Sequence, residues 1–329
     1  MMSGVNLYFA GGAGALISRL LPKQWPEFCA SPDCFYLDTS NSEQVYHRAD
    51  FIYEQIQAPE TKAGSGGLRG SKVELIKEHI PRFMVKHPPA DVNIIVVSSS
   101  GASGAVIAHF LLNEILAQGK KAIILVSQAP NNFLRATNSL KFLMGVRSLA
   151  NHHHNSVVGY VYESNGNSFK EADNNLIQDL IILLHFFSGK VGGVDSTDLE
   201  ILLSPDKLPD LDMPYGLYSM GMIFDKEYTG EVSPISILTL SDVGGMDDIG
   251  SGAGINFSGI TDQNMLTSLG MGEDAVLSLA IYNHHLPMWV NSLSEAVDRL
   301  KTDMDGRKTP KVHEPKTIKL QTTDNDIII

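Results

Sequence analysis

Seven consecutive small residues, Ser98-Ser99-Ser100-Gly101-Ala102-Ser103-Gly104, stand directly behind the apolar run Asn93 to Val97. Packing alone does not explain so long a row of small side chains. The apolar run reads as a buried strand, and Ala105 to Gln118 behind the loop reads as a helix. A turn built this way offers backbone N–H groups and hydroxyls beside a helix N-terminus, which suits an anion. The same unit opens the chain. Val5 to Phe9 reads as a buried strand, Gly11-Gly12-Ala13-Gly14 as a tight turn, and Ala15 to Leu21 as a helix. Glycines at such a turn let the backbone approach a phosphate.

The rhythm continues. Cys34 to Leu37 reads as a strand ending in Asp38-Thr39-Ser40-Asn41, and Gly64 to Gly70, carrying Arg69, forms a third glycine-rich loop before a helix over Val73 to Val85. Lys121 to Val126 and Val157 to Tyr162 are further strands. Strand, small-residue loop, helix, strand is the pattern of a parallel α/β sheet, with ligands at the C-terminal ends of the strands. Phe169 to Ser188 reads as a long buried helix, since Ala172, Leu176, Leu180, Leu183, Leu184 and Phe187 recur at helical spacing. Beyond Gly189 glycine and proline become frequent, and strand-like runs at 217–224 and 235–241 suggest a second, smaller α/β domain. The stretch 275–300 reads as helical, broken near Pro287, and a polar tail follows.

The formal net charge of −12 over 329 residues sets a surface that repels phosphate backbones and anionic lipid, so neither direct nucleic-acid nor membrane binding is expected. The N-terminus lacks the basic region of a signal peptide, and apolar runs such as Leu180 to Leu184 are too short to span a bilayer. Two cysteines, Cys29 and Cys34, make no disulfide framework, and reduced thiols in a cytosolic compartment are expected. The contiguous His152-His153-His154 has the wrong spacing for a metal on one helix face.

Two phosphate-type loops far apart in sequence, followed by a long central helix, resemble the tubulin/FtsZ superfamily, and the layout with its short second domain is similar to the phage tubulins. The resemblance implies a nucleotide-binding domain over 1–168, a central helix over 169–190, a second (activation) domain over 191–274, a C-terminal helical region over 275–308 and a tail over 309–329. It implies GTP or GDP with Mg2+. Gly11, Gly12, Ala13 and Gly14 form the first nucleotide loop, and Ser98, Ser99, Ser100, Gly101, Ala102, Ser103 and Gly104 the signature loop. Asn41, Gly66, Gly67 and Arg69 join the nucleotide contacts, while Asn165, Asp173 and Asn174 read the guanine. A carboxylate can accept both N–H bonds of guanine, which adenine does not offer.

Behind the central helix stands Gly192-Gly193-Val194-Asp195-Ser196-Thr197-Asp198. Asp195 and Asp198 are three apart at a helix start and so share a face. By residues alone they read as helix-capping groups, with Thr197 and Glu200 forming a capping box. By resemblance they are the catalytic acids that complete the GTPase site of a neighbouring subunit in a longitudinal homopolymer. The resemblance further implies a filament in the cytoplasm of an infected bacterium that positions phage DNA, and a tail whose Asp324 and Asp326 dock on the next subunit. The competing reading is an NAD(P)-dependent oxidoreductase, supported by Gly12-Ala13-Gly14 and by Asp38 where a ribose-binding acid would sit. A relative that forms filaments without hydrolysis is a third.

Overall fold

The structure is a computed structural model that describes residues 4–40, 50–56, 69–164, 169–208, 214–224, 232–242, 253–272, 275–283 and 285–306. Ten strands form one sheet: β1 (Val5–Ala10), β2 (Asp33–Asp38), β3 (Ile52–Gln55), β4 (Val92–Ser98), β5 (Lys121–Gln128), β6 (Val157–Glu163), β7 (Leu217–Ile223), β8 (Ser236–Ser241), β9 (Ile255–Ile260) and β10 (Leu277–Tyr282). Their order is β3-β2-β1-β4-β5-β6-β7-β10-β8-β9. All neighbours run parallel except β10, which is antiparallel to both β7 and β8. Strands buried on both faces read as nearly continuous apolar runs, and β4 shows why: Ile94 and Val96 enter one core while Ile95 and Val97 enter the other.

The helices are α1 (Gly11–Ser18), α2 (Val73–Lys86), α3 (Ser103–Ala117), α4 (Phe133–His153), α5 (Lys170–Phe186), α6 (Ser196–Leu202), α7 (Gln263–Ser268) and α8 (His285–Gly306). Residues of α1, α5, α6 and α7 pack in the core on one side of the sheet. Those of α2, α3, α4 and α8 pack on the other. Leu176, Leu180, Leu183 and Leu184 of α5 are fully buried, each contributing about 1.5–3 kcal/mol relative to exposure. His185 fastens the end of α5: Nδ1 donates to Phe28 O and Nε2 accepts from the Thr261 hydroxyl, both at 2.8 Å. Burial pushes the imidazole pKa down, which keeps the ring neutral as this pairing needs. No helix among the described residues is long and apolar enough to cross a membrane.

Two sequence expectations change. The first helix starts at Gly11 rather than Ala15, so the glycines form its first turn. The stretch 275–300 holds a strand, β10, and then α8, rather than a broken helix. Pro287 falls in the first turn of α8, where a missing N–H costs nothing, and residues 277–282 belong to the sheet rather than to a C-terminal helical region. Cys29 and Cys34 are both buried.

One internal acid is held at a cost. The Tyr162 hydroxyl of β6 donates to Asp179 Oδ2 of α5 at 2.7 Å. Burial nevertheless raises the Asp179 pKa from the ordinary 3.8 to about 6. A raised carboxyl pKa stabilises the fold fully below pH 3.8, and that contribution is lost as pH rises through about 6. Asp179→Asn is therefore expected to raise neutral-pH stability by about 1–3 kcal/mol, with the gain vanishing in acid. Denaturant melts at the two pH values check this.

Candidate functional site

The C-terminal ends of β1, β4 and β5 open into a cleft of about 400 Å³, whose lining includes Gly12, Ala13, Ser98, Gly101, Arg135 and Asp173. The turns from β1 into α1 and from β4 into α3 meet beneath it. A Cβ on Gly11 would lie 2.6 Å from Gly104 Cα, and one on Gly104 would lie 2.6 Å from Ala10 O. Gly11 also has φ +75°, a conformation that disfavours L side chains. Gly14 is equally confined, at 2.9 Å from Phe9 C. These glycines serve first to bring two backbones into contact.

Neither α1 nor α3 has a side-chain cap or an acid in its first turn. Their leading N–H groups thus have no side-chain cap, and the helix dipoles favour negative charge there. Ser99 and Ser100 turn inward instead. Their hydroxyls pair with Ser139 Oγ of α4 at 2.9 and 3.1 Å, and Ser100 Oγ accepts the Ala129 N–H at 2.9 Å. Neither has positive φ, since His154 is the one non-glycine residue with it among the described residues. Serines thus stand in this loop without backbone strain, and their hydroxyls brace it against α4. Ala102 is buried beside them, and Ser103 begins α3.

Asp173 lies in the first turns of α5, at the cleft wall, and accepts from the Ser127 hydroxyl at 2.8 Å. Burial raises its pKa, and the serine bond partly offsets this. Asn174, the next residue, is exposed. Arg69 does not reach into the cleft; its guanidinium donates to Asn138 O of α4 at 3.0 Å. Asn138 Nδ2 in turn reaches Ser100 O at 3.5 Å. Asn41, Gly66, Gly67, Asn165, Asp324 and Asp326 lie outside the described residues.

Sequence reasoning missed three wall residues. Arg135 lies at the start of α4, with its guanidinium 5.8 Å from the centre of the Phe169 ring, and Ser127 orients Asp173. The available signal was Asn132, which caps α4 by accepting the Arg135 N–H at 3.0 Å and follows another buried strand.

Asp195 and Asp198 form a reciprocal cap at the start of α6. Asp195 Oδ1 accepts the N–H groups of Thr197 and Asp198 at 2.7 and 3.0 Å, and Asp198 Oδ2 accepts the Asp195 N–H at 2.9 Å. The capping box is thus Asp195/Asp198, rather than Thr197 with Glu200. These bonds pull the Asp195 pKa down, so the carboxylate is ionised at neutral pH. The preceding loop is fixed by Gly192, whose N–H and C=O bond Ile260 of β9 at 2.8 and 2.7 Å. Asp195 is exposed and Asp198 half-exposed.

The start of α6 shares a surface hollow with Asp91, Gly119, Lys120 and Lys121, residues at the N-terminal ends of β4 and β5. The cleft lies at the C-terminal ends of the same strands. β4 has seven residues, so about 20 Å of strand separates the acid pair from the cleft of its own chain.

The acid proposed for a dinucleotide ribose is occupied elsewhere. Asp38 is 2% exposed, and its carboxylate accepts from Thr39 N at 2.7 Å and Tyr36 OH at 3.0 Å.

No family profile matches the chain. It is 28% identical over 255 residues to a phage tubulin-like protein of Pseudomonas phage phiKZ, a match covering 73% of this chain and 75% of that one. Its fold is similar to the TubZ protofilament from bacteriophage PhiKZ, with TM-score 0.81 and 23% identity across 95% of this chain and 96% of the other. It is also similar to the phage tubulin PhuZ with GDP, with TM-score 0.75 and 17% identity across 94% and 95%. The chain thus has a tubulin/FtsZ-like fold and is similar in sequence to phage tubulin-like proteins.

Proposed function

We propose that the chain binds GTP in the cleft, assembles head to tail, and hydrolyses the nucleotide of one protomer with Asp195 and Asp198 of the next. One observation carries this reading: the cleft and the acid pair occupy opposite ends of the same parallel strands. Stacking copies along the strand direction brings the acids of one onto the cleft of its neighbour, whereas a lone chain holds only half a site. The similar proteins include a protofilament and a GDP-bound phage tubulin, which fits both parts of the proposal.

In this reading the N–H groups of the first turns of α1 and α3 hold the phosphates, and Arg135 adds positive charge at the rim. Asp173, oriented by Ser127, accepts from the guanine edge. Among the described residues the cleft lining contains oxygen donors and neither thiolate nor imidazole, which suits Mg2+; bound with the phosphates, it would supply charge neutralisation. The incoming acids orient a water for attack on the terminal phosphate, and a carboxylate oxygen can accept its proton. The division at the central helix, the filament inside an infected bacterium, the positioning of phage DNA and the docking of Asp324 and Asp326 on the adjacent protomer belong to the same proposal.

Two measurements test it. GTP turnover per chain should rise steeply with protein concentration, in step with filaments seen by electron microscopy; full turnover by a dilute monomer sinks the shared site. Asp173→Ala should weaken GTP binding about 10- to 100-fold, the loss expected for hydrogen bonds to a charged acceptor. Titration of a fluorescent GTP analogue reads that loss, and unchanged affinity removes Asp173 from the guanine contact.

A further inference from the structure

A second cleft lies away from the nucleotide cleft, where the sheet divides. β6 and β7 pair over Val157–Gly159 and Leu217–Ser219, and past those residues the ladder stops. The opening measures about 660 Å³ and lies against α5, with Tyr160, Tyr162, Asp179, Met220, Met222 and Tyr282 among its lining residues. That volume suits a small organic ligand.

Its chemistry is specific. Asp179 contributes the sole carboxylate of the lining, and no Lys, Arg or His lines the cleft among the described residues. Tyr162 donates to one carboxylate oxygen, and a neutral donor does not replace a counter-ion. The Tyr160 and Tyr162 rings are 4.7 Å apart and tilted by 59°, and Tyr282 of β10 shares the lining. Aromatic faces attract cations. Ile181, Met220, Met222 and Leu269 supply an apolar wall. Among the described residues the other titratable groups lining the cleft with Asp179 are Tyr160 and Tyr162 from β6 and Tyr282 from β10; β7 and α7 contribute none. A metal ion needs several hard ligands rather than one carboxylate, and an anion would face that negative charge.

We infer that this cleft is a binding site for an organic ammonium ion with an aromatic or aliphatic body, its charged end on Asp179 beside the tyrosines. The site is independent of nucleotide and of assembly. The raised pKa of Asp179 fits an acid lacking its cation. Binding should therefore strengthen as pH rises through about 6, where the carboxyl ionises.

Phenethylamine and its uncharged counterpart phenethyl alcohol are suitable probes on the full chain, with binding read by calorimetry or ligand-observed NMR. The amine is expected to bind, with the alcohol at least about tenfold weaker. Asp179→Asn should weaken the amine about tenfold or more, leave the alcohol unchanged, and abolish the pH dependence; its thermal melt verifies folding. Tyr162→Phe, which keeps the carboxylate, should retain amine binding. The inference is overturned if the amine does not bind up to its solubility limit, if amine and alcohol bind alike, or if folded Asp179→Asn binds the amine as wild type does.

Discussion

Asp198→Asn is expected to lower GTP turnover about 100-fold or more while GTP affinity and filament formation persist. The size follows from what a positioned general base contributes, about 10²–10⁴. The substitution is chosen for what it preserves. Asp198 Oδ2 accepts the Asp195 N–H at 2.9 Å, and an Asn amide oxygen can take that bond, so the α6 cap survives. The lost charge is then the only large change. Asp195→Asn likewise keeps a good N-cap residue. Single-turnover hydrolysis with pre-bound GTP separates the chemical step from binding. An Asp198→Asn protein with wild-type turnover would reduce the pair to a helix cap, as its hydrogen bonds alone suggest.

Gly104→Ala is expected to cost about 3 kcal/mol or more of stability and to weaken nucleotide binding sharply. The new Cβ would stand 2.6 Å from Ala10 O and 3.2 Å from Ala10 C. Both are backbone atoms, so no side-chain rotation relieves the clash and the two turns must separate. Overpacking in a tight core costs about 1–3 kcal/mol even where side chains can yield. Gly101→Ala is the matched control. Its Cβ would meet one atom, Ser98 O, at 3.4 Å, and an effect below about 1 kcal/mol is expected. Denaturant unfolding of the two variants reads the contrast, and equal losses would show that the contact between the turns matters little.

That contrast also marks what could be read from the residues. The alternation of apolar runs with small-residue loops makes β1, β4, β5 and β6 legible as strands of a parallel sheet, because strands buried on both faces and turns free of bulk leave a direct trace. The glycines were legible as a requirement but not in full as a cause. The mutual contact of Gly11 and Gly104, 93 positions apart, is a product of tertiary structure, and nothing local encodes it. Ser99 and Ser100 show the same limit, since their partner Ser139 sits on a helix the sequence reading did not identify. α4 was missed because its buried residues, such as Ala136, Phe142, Val146 and Ala150, are interleaved with polar ones without a clear stripe. With it went Arg135. The region after Gly189 was legible only in outline, since the antiparallel insertion of β10 between β7 and β8 depends on long-range pairing. The acid pair was legible as a cap from three-residue spacing. Its place at the far end of the strands needed the fold.

The division of labour between two copies is tested most directly by mixing two inactive proteins. The double variant Asp195→Asn, Asp198→Asn keeps an intact cleft, and the double variant Asp173→Ala, Arg135→Ala keeps intact acids. Each alone should hydrolyse GTP at no more than about one hundredth of the wild-type rate. Their mixture should recover a substantial fraction of it, because at every contact where an acid-bearing copy meets an intact cleft the two halves join. A mixture that co-assembles in electron micrographs yet hydrolyses no faster than its components would contradict a site shared between neighbouring chains.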